Sequence, residues 1–118
     1  MKTYTSFIAI SVIGFFAVVV FSSMIIKDPQ PQSCQVEKKK ITSVEEGTSF
    51  DIVLKDSQGE RYYINRGLQR GLNLAFLNSK VLNKTVTLHL AKVLGGIVTS
   101  EHISQLSVEG NIIFTEFN

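Results

Sequence analysis

The chain contains no tryptophan, one cysteine, two prolines and two histidines among its 118 residues. Each scarcity removes a class of chemistry. A single cysteine cannot form an intrachain disulfide. Cys34, His89 and His102 offer too few nitrogen and sulfur ligands for a zinc site, and no H-E-x-x-H or paired-cysteine motif occurs. The G-x-S-x-G elbow of serine hydrolases is missing, as are the glycine-rich phosphate loops. Glu45 and Glu46 are adjacent, and Asp51 and Asp56 are five apart. Neither spacing presents the two facing carboxylates that glycoside hydrolysis requires. These absences predict a protein that is not an enzyme and carries no cofactor or metal. Charge of one sign is scarce too: 12 Lys and Arg stand against 10 Asp and Glu.

Apolar residues are abundant but unevenly placed. Residues 7–26 read FIAISVIGFFAVVVFSSMII, interrupted only by serines and one glycine and by no charge. A 20-residue helix rises about 30 Å, the thickness of a bilayer's hydrocarbon core. The sequence therefore predicts an N-terminal tail at 1–6 and a single transmembrane helix at 7–26. A cleaved signal peptide is the alternative, but the run exceeds a usual signal core and no A-x-A site follows it. Lys27, Lys38, Lys39 and Lys40 favour a cytoplasmic C-terminal side by simple charge counting. The six-residue tail before a signal-like segment favours the reverse. On balance the expectation is a single-pass membrane protein with a cytoplasmic N-terminus and an extracytoplasmic domain.

Residues 27–35, KDPQPQSCQ, read as a proline-containing linker, with a small β-rich domain following at 36–118. Fully extended, such a linker would hold the domain as far as about 25 Å from the membrane. Cys34 falls within it, where it is a candidate for an intermolecular disulfide between two copies.

Strand signals dominate the remainder. Val36–Val44 is charged and partly alternating. Ser49–Lys55 places Phe50, Ile52 and Leu54 on one face. Asp56-Ser57-Gln58-Gly59 is a turn leading into Glu60–Asn65, which predicts a hairpin. The period then changes to three and four, and Asn73 is placed to cap a short helix reaching about Lys80. Lys84–Lys92 resumes strand period with Val86, Leu88 and Leu90 inward and His89 outward. A second hairpin joins His102–Val108 to Ile112–Phe117 through Glu109-Gly110-Asn111, with His102 expected at an exposed strand edge. The expected core is Leu54, Tyr62, Ile64, Leu77, Val86, Leu88, Leu90, Ile103, Leu106, Val108, Ile112 and Phe114.

Three strands, a helix and further strands make a mainly β domain with one short helix. In order of elements it resembles the five-stranded OB barrel, and the expected architecture is a small OB-like or closed β-barrel. Closure would suit so short a chain because it removes exposed sheet edges. An α+β sheet with the helix on one face is the alternative.

Two basic groups are candidate binding residues: Lys38, Lys39 and Lys40, and the arginines Arg61, Arg66 and Arg70 beside Tyr63. Cations interleaved with aromatics on a barrel are what single-strand binders use. Yet residues 35–118 hold ten Lys or Arg and nine Asp or Glu, a net charge of +1. Nucleic-acid modules are usually strongly basic, so nucleic acid is a disfavoured partner. The leading expectation is a membrane-anchored interaction or accessory domain that binds a protein partner at the membrane surface. A ligand- or polymer-binding module using the Arg61/Tyr63 face is the alternative.

Overall fold

The computed structural model describes residues 30–117. The predicted tail and apolar segment at 1–6 and 7–26 lie outside the described residues. Among those described, no helix is long and apolar enough to cross a membrane.

Six strands and one helix follow in order: β1 (Cys34–Glu46), β2 (Ile52–Asp56), β3 (Arg61–Ile64), α1 (Leu74–Val81), β4 (Thr85–Val93), β5 (Val98–Val108) and β6 (Asn111–Thr115). Strand β1 serves two partners. Its first half, from Cys34 to Lys40, pairs with β4. From Ile41 onward it pairs with β2, and a register shift between Ile41 and Ser43 marks the change. A bulge there increases local twist and bends the strand from one wall to the next. Asn83 N–H donates to the Ile41 carbonyl at 2.7 Å, and Ile41 N–H to that of Lys84 at 3.0 Å.

The wall continues from β2 to β3 and from β4 to β5, all antiparallel. A single parallel pairing, Tyr63 with His102, joins β3 to β5 and closes a five-stranded barrel. Strand β6 adds to β5 beyond this seam.

The interior follows from strand alternation. Leu54, Tyr62, Ile64, Val86, Leu88, Leu90, Ile103 and Leu106 are buried together with Leu77 of the helix. Asn73 caps that helix as expected, its side-chain oxygen accepting from Phe76 N–H at 2.7 Å. Leu77 and Val81, one turn apart, both reach the core. Gly67 occupies a place where backbone comes hard against the core. A Cβ there would meet Ile52 Cδ1 at 2.7 Å and Cγ1 at 2.9 Å.

Several expectations need correction. Ile112 is 59% exposed rather than part of the core. The register shift opposite Leu106 and Ser107 gives β6 an extra residue, so Ile112 no longer shares the face of Phe114. Phe50 is 55% exposed, because β2 begins only at Ile52 and Phe50 lies in a tight turn with φ 67°. His102 is not at an exposed edge; it is buried at 6%. The chain also enters the sheet earlier than the linker reading implied. Pro31–Ser33 form a short 3-10 turn, and Cys34 and Gln35 are paired with Ala91 and Leu90 of β4.

Candidate functional site

The outward face of β3 carries two of the residues singled out from sequence. Arg61 is exposed and Tyr63 half-buried, while Tyr62 and Ile64 between and beyond them point inward. This alternation is the reason a Tyr-Tyr pair divides between core and surface. Tyr62 is held by two acids: its hydroxyl donates to Glu60 Oε2 at 2.9 Å and lies 3.3 Å from Asp56 Oδ2. Asp56 is itself buried, and its Oδ1 accepts from the backbone N–H groups of Gln58 and Glu60, both at 2.9 Å. The β2–β3 turn is thereby pinned from inside by one carboxylate.

Beside Tyr63 the β1–β2 loop folds over the barrel wall. Gly47 N–H donates to the Asp51 carbonyl at 2.8 Å, and Asp51 N–H to that of Thr48 at 3.0 Å. The Asp51 carboxylate accepts from Arg66 N–H at 2.8 Å and so ties this loop to the exit of β3. Between them lies a cleft of about 630 Å³, lined among others by Glu46, Asp51, Arg61, Tyr63 and Glu101. A second cleft of about 560 Å³ adjoins it, sharing Arg61, Tyr62 and Glu101 and adding Glu37 and Glu60. Both volumes fall within the range usual for ligand sites.

The electrostatic character of this groove is opposite to the one its arginines suggest. Five acidic residues, Glu37, Glu46, Asp51, Glu60 and Glu101, line the two clefts together with one arginine, Arg61. The Tyr63 hydroxyl registers the same field. Its pKa is pushed up first by burial and then by the negative charges of Asp51, Glu101 and Glu116. Sequence reading selected the cations as binding residues and weighed Glu46 and Asp51 only as catalytic carboxylates, because Glu37, Glu46, Asp51, Glu60 and Glu101 come from separate stretches of chain.

The other sequence-selected residues go elsewhere. Arg66 takes a left-handed backbone conformation, φ 52°, before a 3-10 turn. Arg70 is engaged within the protein: its Nε donates to the Asn65 carbonyl at 2.9 Å, and its guanidinium lies 3.6 Å from Glu116 and 5.7 Å from the Phe114 ring. Lys38 and Lys40 are exposed on β1, while Lys39 turns the other way and approaches Asp56 at 4.0 Å. None of the three lysines lines the groove beside Tyr63. The barrel does not bring the two basic groups together.

Above the seam between β3 and β5 lies a polar clasp that the sequence did not signal. Glu116, just past β6, places its carboxylate 2.9 and 3.0 Å from His102 Nε2. A carboxylate only accepts, so Nε2 carries the proton. Glu116 N–H also donates to the Ser104 carbonyl at 2.8 Å. Tyr63 meets His102 edge-on at 5.5 Å, and Phe117 meets His89 in the same manner at 5.7 Å. The C-terminal residues thus lie across the outer face of β5 and β4.

Cys34 sits at the start of β1, half-buried, with its thiol 3.4 Å from the Gln30 carbonyl. Burial pushes its pKa up, with Glu116 adding to the rise and Ser104 and Lys92 opposing it. Among the described residues, no group of three His, Cys, Asp or Glu is placed to hold a metal ion.

No known protein family, curated protein or solved structure matches the chain.

Proposed function

We propose that the chain is a membrane-anchored, non-enzymatic binding module that holds a protein partner at the membrane surface and receives a basic segment of that partner in the acidic groove over β3. Residues 7–26 serve as the anchor, with the N-terminus cytoplasmic and the barrel on the far side. Anchoring confines the barrel to the surface and raises its effective concentration for partners there.

The observation that carries this reading is the charge of the groove. Two adjoining clefts share Arg61, Tyr62 and Glu101, and five carboxylates line them. Low-dielectric walls focus such a field and favour cations. Tyr63 supplies an aromatic face on which an arginine or lysine of the partner can rest. The strand path, with β3 beside β5 and the helix between β3 and β4, resembles that of an OB barrel, in which ligands commonly bind on the β2–β3 face. That likeness supports the location of the site; its chemistry is read from the side chains. The competing reading, a nucleic-acid or other polyanion ligand, would require phosphates to approach those carboxylates.

The test is a titration of the full chain in phosphatidylcholine nanodiscs with fluorescent arginine-rich peptide, glutamate-rich peptide and oligothymidylate. Binding of the cationic peptide alone is expected, weakening on going from about 50 to 200 mM salt. Asp51→Asn combined with Glu101→Gln should weaken it further. Preference for the oligonucleotide, or equal indifference to all three probes, would refute the assignment.

A further inference from the structure

We propose that the tip of the β4–β5 hairpin is a second membrane contact, which inserts Ile97 into the headgroup layer beside the point where the chain enters the barrel. The inference rests on the reading of residues 7–26 as a membrane anchor and holds for either orientation of that anchor.

The argument begins with an exposed side chain. Ile97 is 86% exposed, more than any other large apolar residue among those described, and its neighbour Val98 is 42% exposed. Ile97 ends the turn at residues 94–97, and Val98 is the first residue of β5. Gly96 N–H reaches the Val93 carbonyl at 3.3 Å and Ile97 N–H that of Leu94 at 3.4 Å. Leu94, Gly95 and Gly96 all have positive φ, of 55°, 69° and 90°. An isoleucine side chain that moves from water into an apolar surrounding gains free energy, so a tip that presents Ile97 in this way is suited to an apolar layer.

What meets it is indicated by where the chain begins its fold. Strand β1 is antiparallel to β4, so its first residue, Cys34, lies opposite Ala91, two residues from the end of β4. Gln32 and Ser33 share a shallow cleft with Lys92, Val93, Gly95 and Gly96. The hairpin tip and the chain's point of entry into the barrel are therefore neighbours. The apolar run ends at Ile26, and three residues, Lys27, Asp28 and Pro29, separate it from Gln30. The four steps from Ile26 to Gln30 span at most about 14 Å. Headgroup regions add roughly 5–8 Å to each side of the hydrocarbon core. A tip adjacent to residues 32 and 33 is thus confined to the vicinity of that layer. Lys92 at its base is placed to meet anionic headgroups, while Ile97 meets the acyl boundary.

This arrangement would fix more than distance. A barrel tethered by one strand pivots about its tether. A second contact beside the tether sets the tilt and so determines which way the acidic groove faces.

The test uses the full chain with Cys34→Ser and a single new cysteine, Ile97→Cys or Asn111→Cys, labelled with an environment-sensitive nitrobenzoxadiazole dye. Asn111 lies beyond the other end of β5, which runs from Val98 to Val108, a length of about 33 Å. Each chain is reconstituted into phosphatidylcholine vesicles with 20% phosphatidylglycerol, with and without a lipid bearing a nitroxide near its headgroup. Blue-shifted emission at Ile97→Cys and quenching at least about five-fold stronger than at Asn111→Cys support the contact. Equal quenching at both sites, in a chain that resists alkaline carbonate extraction, overturns the hairpin contact and leaves the anchor standing. A chain released by carbonate overturns the anchor, and the hairpin contact with it.

Discussion

Closure of the barrel at a single parallel pairing makes Glu116 the side chain whose loss should be felt most widely. Its carboxylate is 7% exposed and receives the His102 Nε2 proton at 2.9 Å. Arg70 approaches the same group at 3.6 Å, but its side chain is 40% exposed. Solvent screening reduces that ion pair to a few tenths of a kcal/mol. The histidine bond is the larger contribution, since hydrogen bonds to charged groups contribute about 1.5–3 kcal/mol. Glu116→Gln retains a carbonyl acceptor and similar shape, so the expected loss is about 1–2 kcal/mol. In a domain of this size that corresponds to a fall in melting temperature of roughly 5–15 °C. Glu116→Ala also deprives the buried imidazole N–H of its acceptor and should cost about 2–4 kcal/mol. Chemical unfolding of the full chain in detergent, followed by far-UV circular dichroism and tyrosine fluorescence, provides the measurement. Glu109→Gln, at the exposed β5–β6 turn, is the control that should change nothing. If Glu116→Gln and Glu116→Ala both matched the control, the C-terminal clasp would not be what holds β3 against β5.

Asp56→Ala leaves the Gln58 and Glu60 N–H groups without their carboxylate acceptor, while the Tyr62 hydroxyl keeps Glu60, and should destabilise the β2–β3 hairpin by about 2–3 kcal/mol in the same unfolding assay. Gly67→Ala drives a methyl into Ile52, with expected destabilisation of about 1–3 kcal/mol, and the additional Ile52→Val change should recover part of it. Tyr62 and Tyr63 both have raised pKa values, chiefly through burial, so folding favours their neutral forms. Their contribution is complete below about pH 10, the free-phenol value, and is lost as pH rises through the folded values. Absorbance titration near 295 nm should show fewer than the full three tyrosines ionising at the free value, and simultaneous ionisation of all three would contradict this. Cys34, its pKa raised by burial, should alkylate more slowly than glutathione at pH 8 and accelerate on unfolding. Equal rates would show that the start of β1 does not shelter the thiol.

Much of the fold was legible where the signal is local. The Asp56–Gly59 turn, the Asn73 cap and the alternation of Val86, Leu88 and Leu90 depend on neighbours a few residues away. Ile112 and Phe50 were misplaced for a reason equally physical. Strand phase persists only while the backbone stays regular, and a bulge in β6 and a left-handed turn before β2 each interrupt it. Of the candidate site, Arg61 and Tyr63 were found by residue type. Arg70 was selected on its charge and proved to be engaged with Glu116, Phe114 and Asn65. His102 was read as exposed because nothing near it in sequence shows that Glu116 will cover it.

The sequence by itself determined what is scarce and what is local: one cysteine and hence no intrachain disulfide, two histidines, an uncharged apolar run at 7–26, and the order of strands around one short helix. Those properties follow from composition and from periodicities of two and 3.6 residues, which need no knowledge of distant chain. Tertiary structure alone decided that β3 meets β5, that acids from separate stretches surround Arg61, and that the hairpin tip lies beside the chain's entry into the barrel. Each depends on residues far apart in sequence, brought together only when burial of the shared core outweighs the entropy of closing the loops between them.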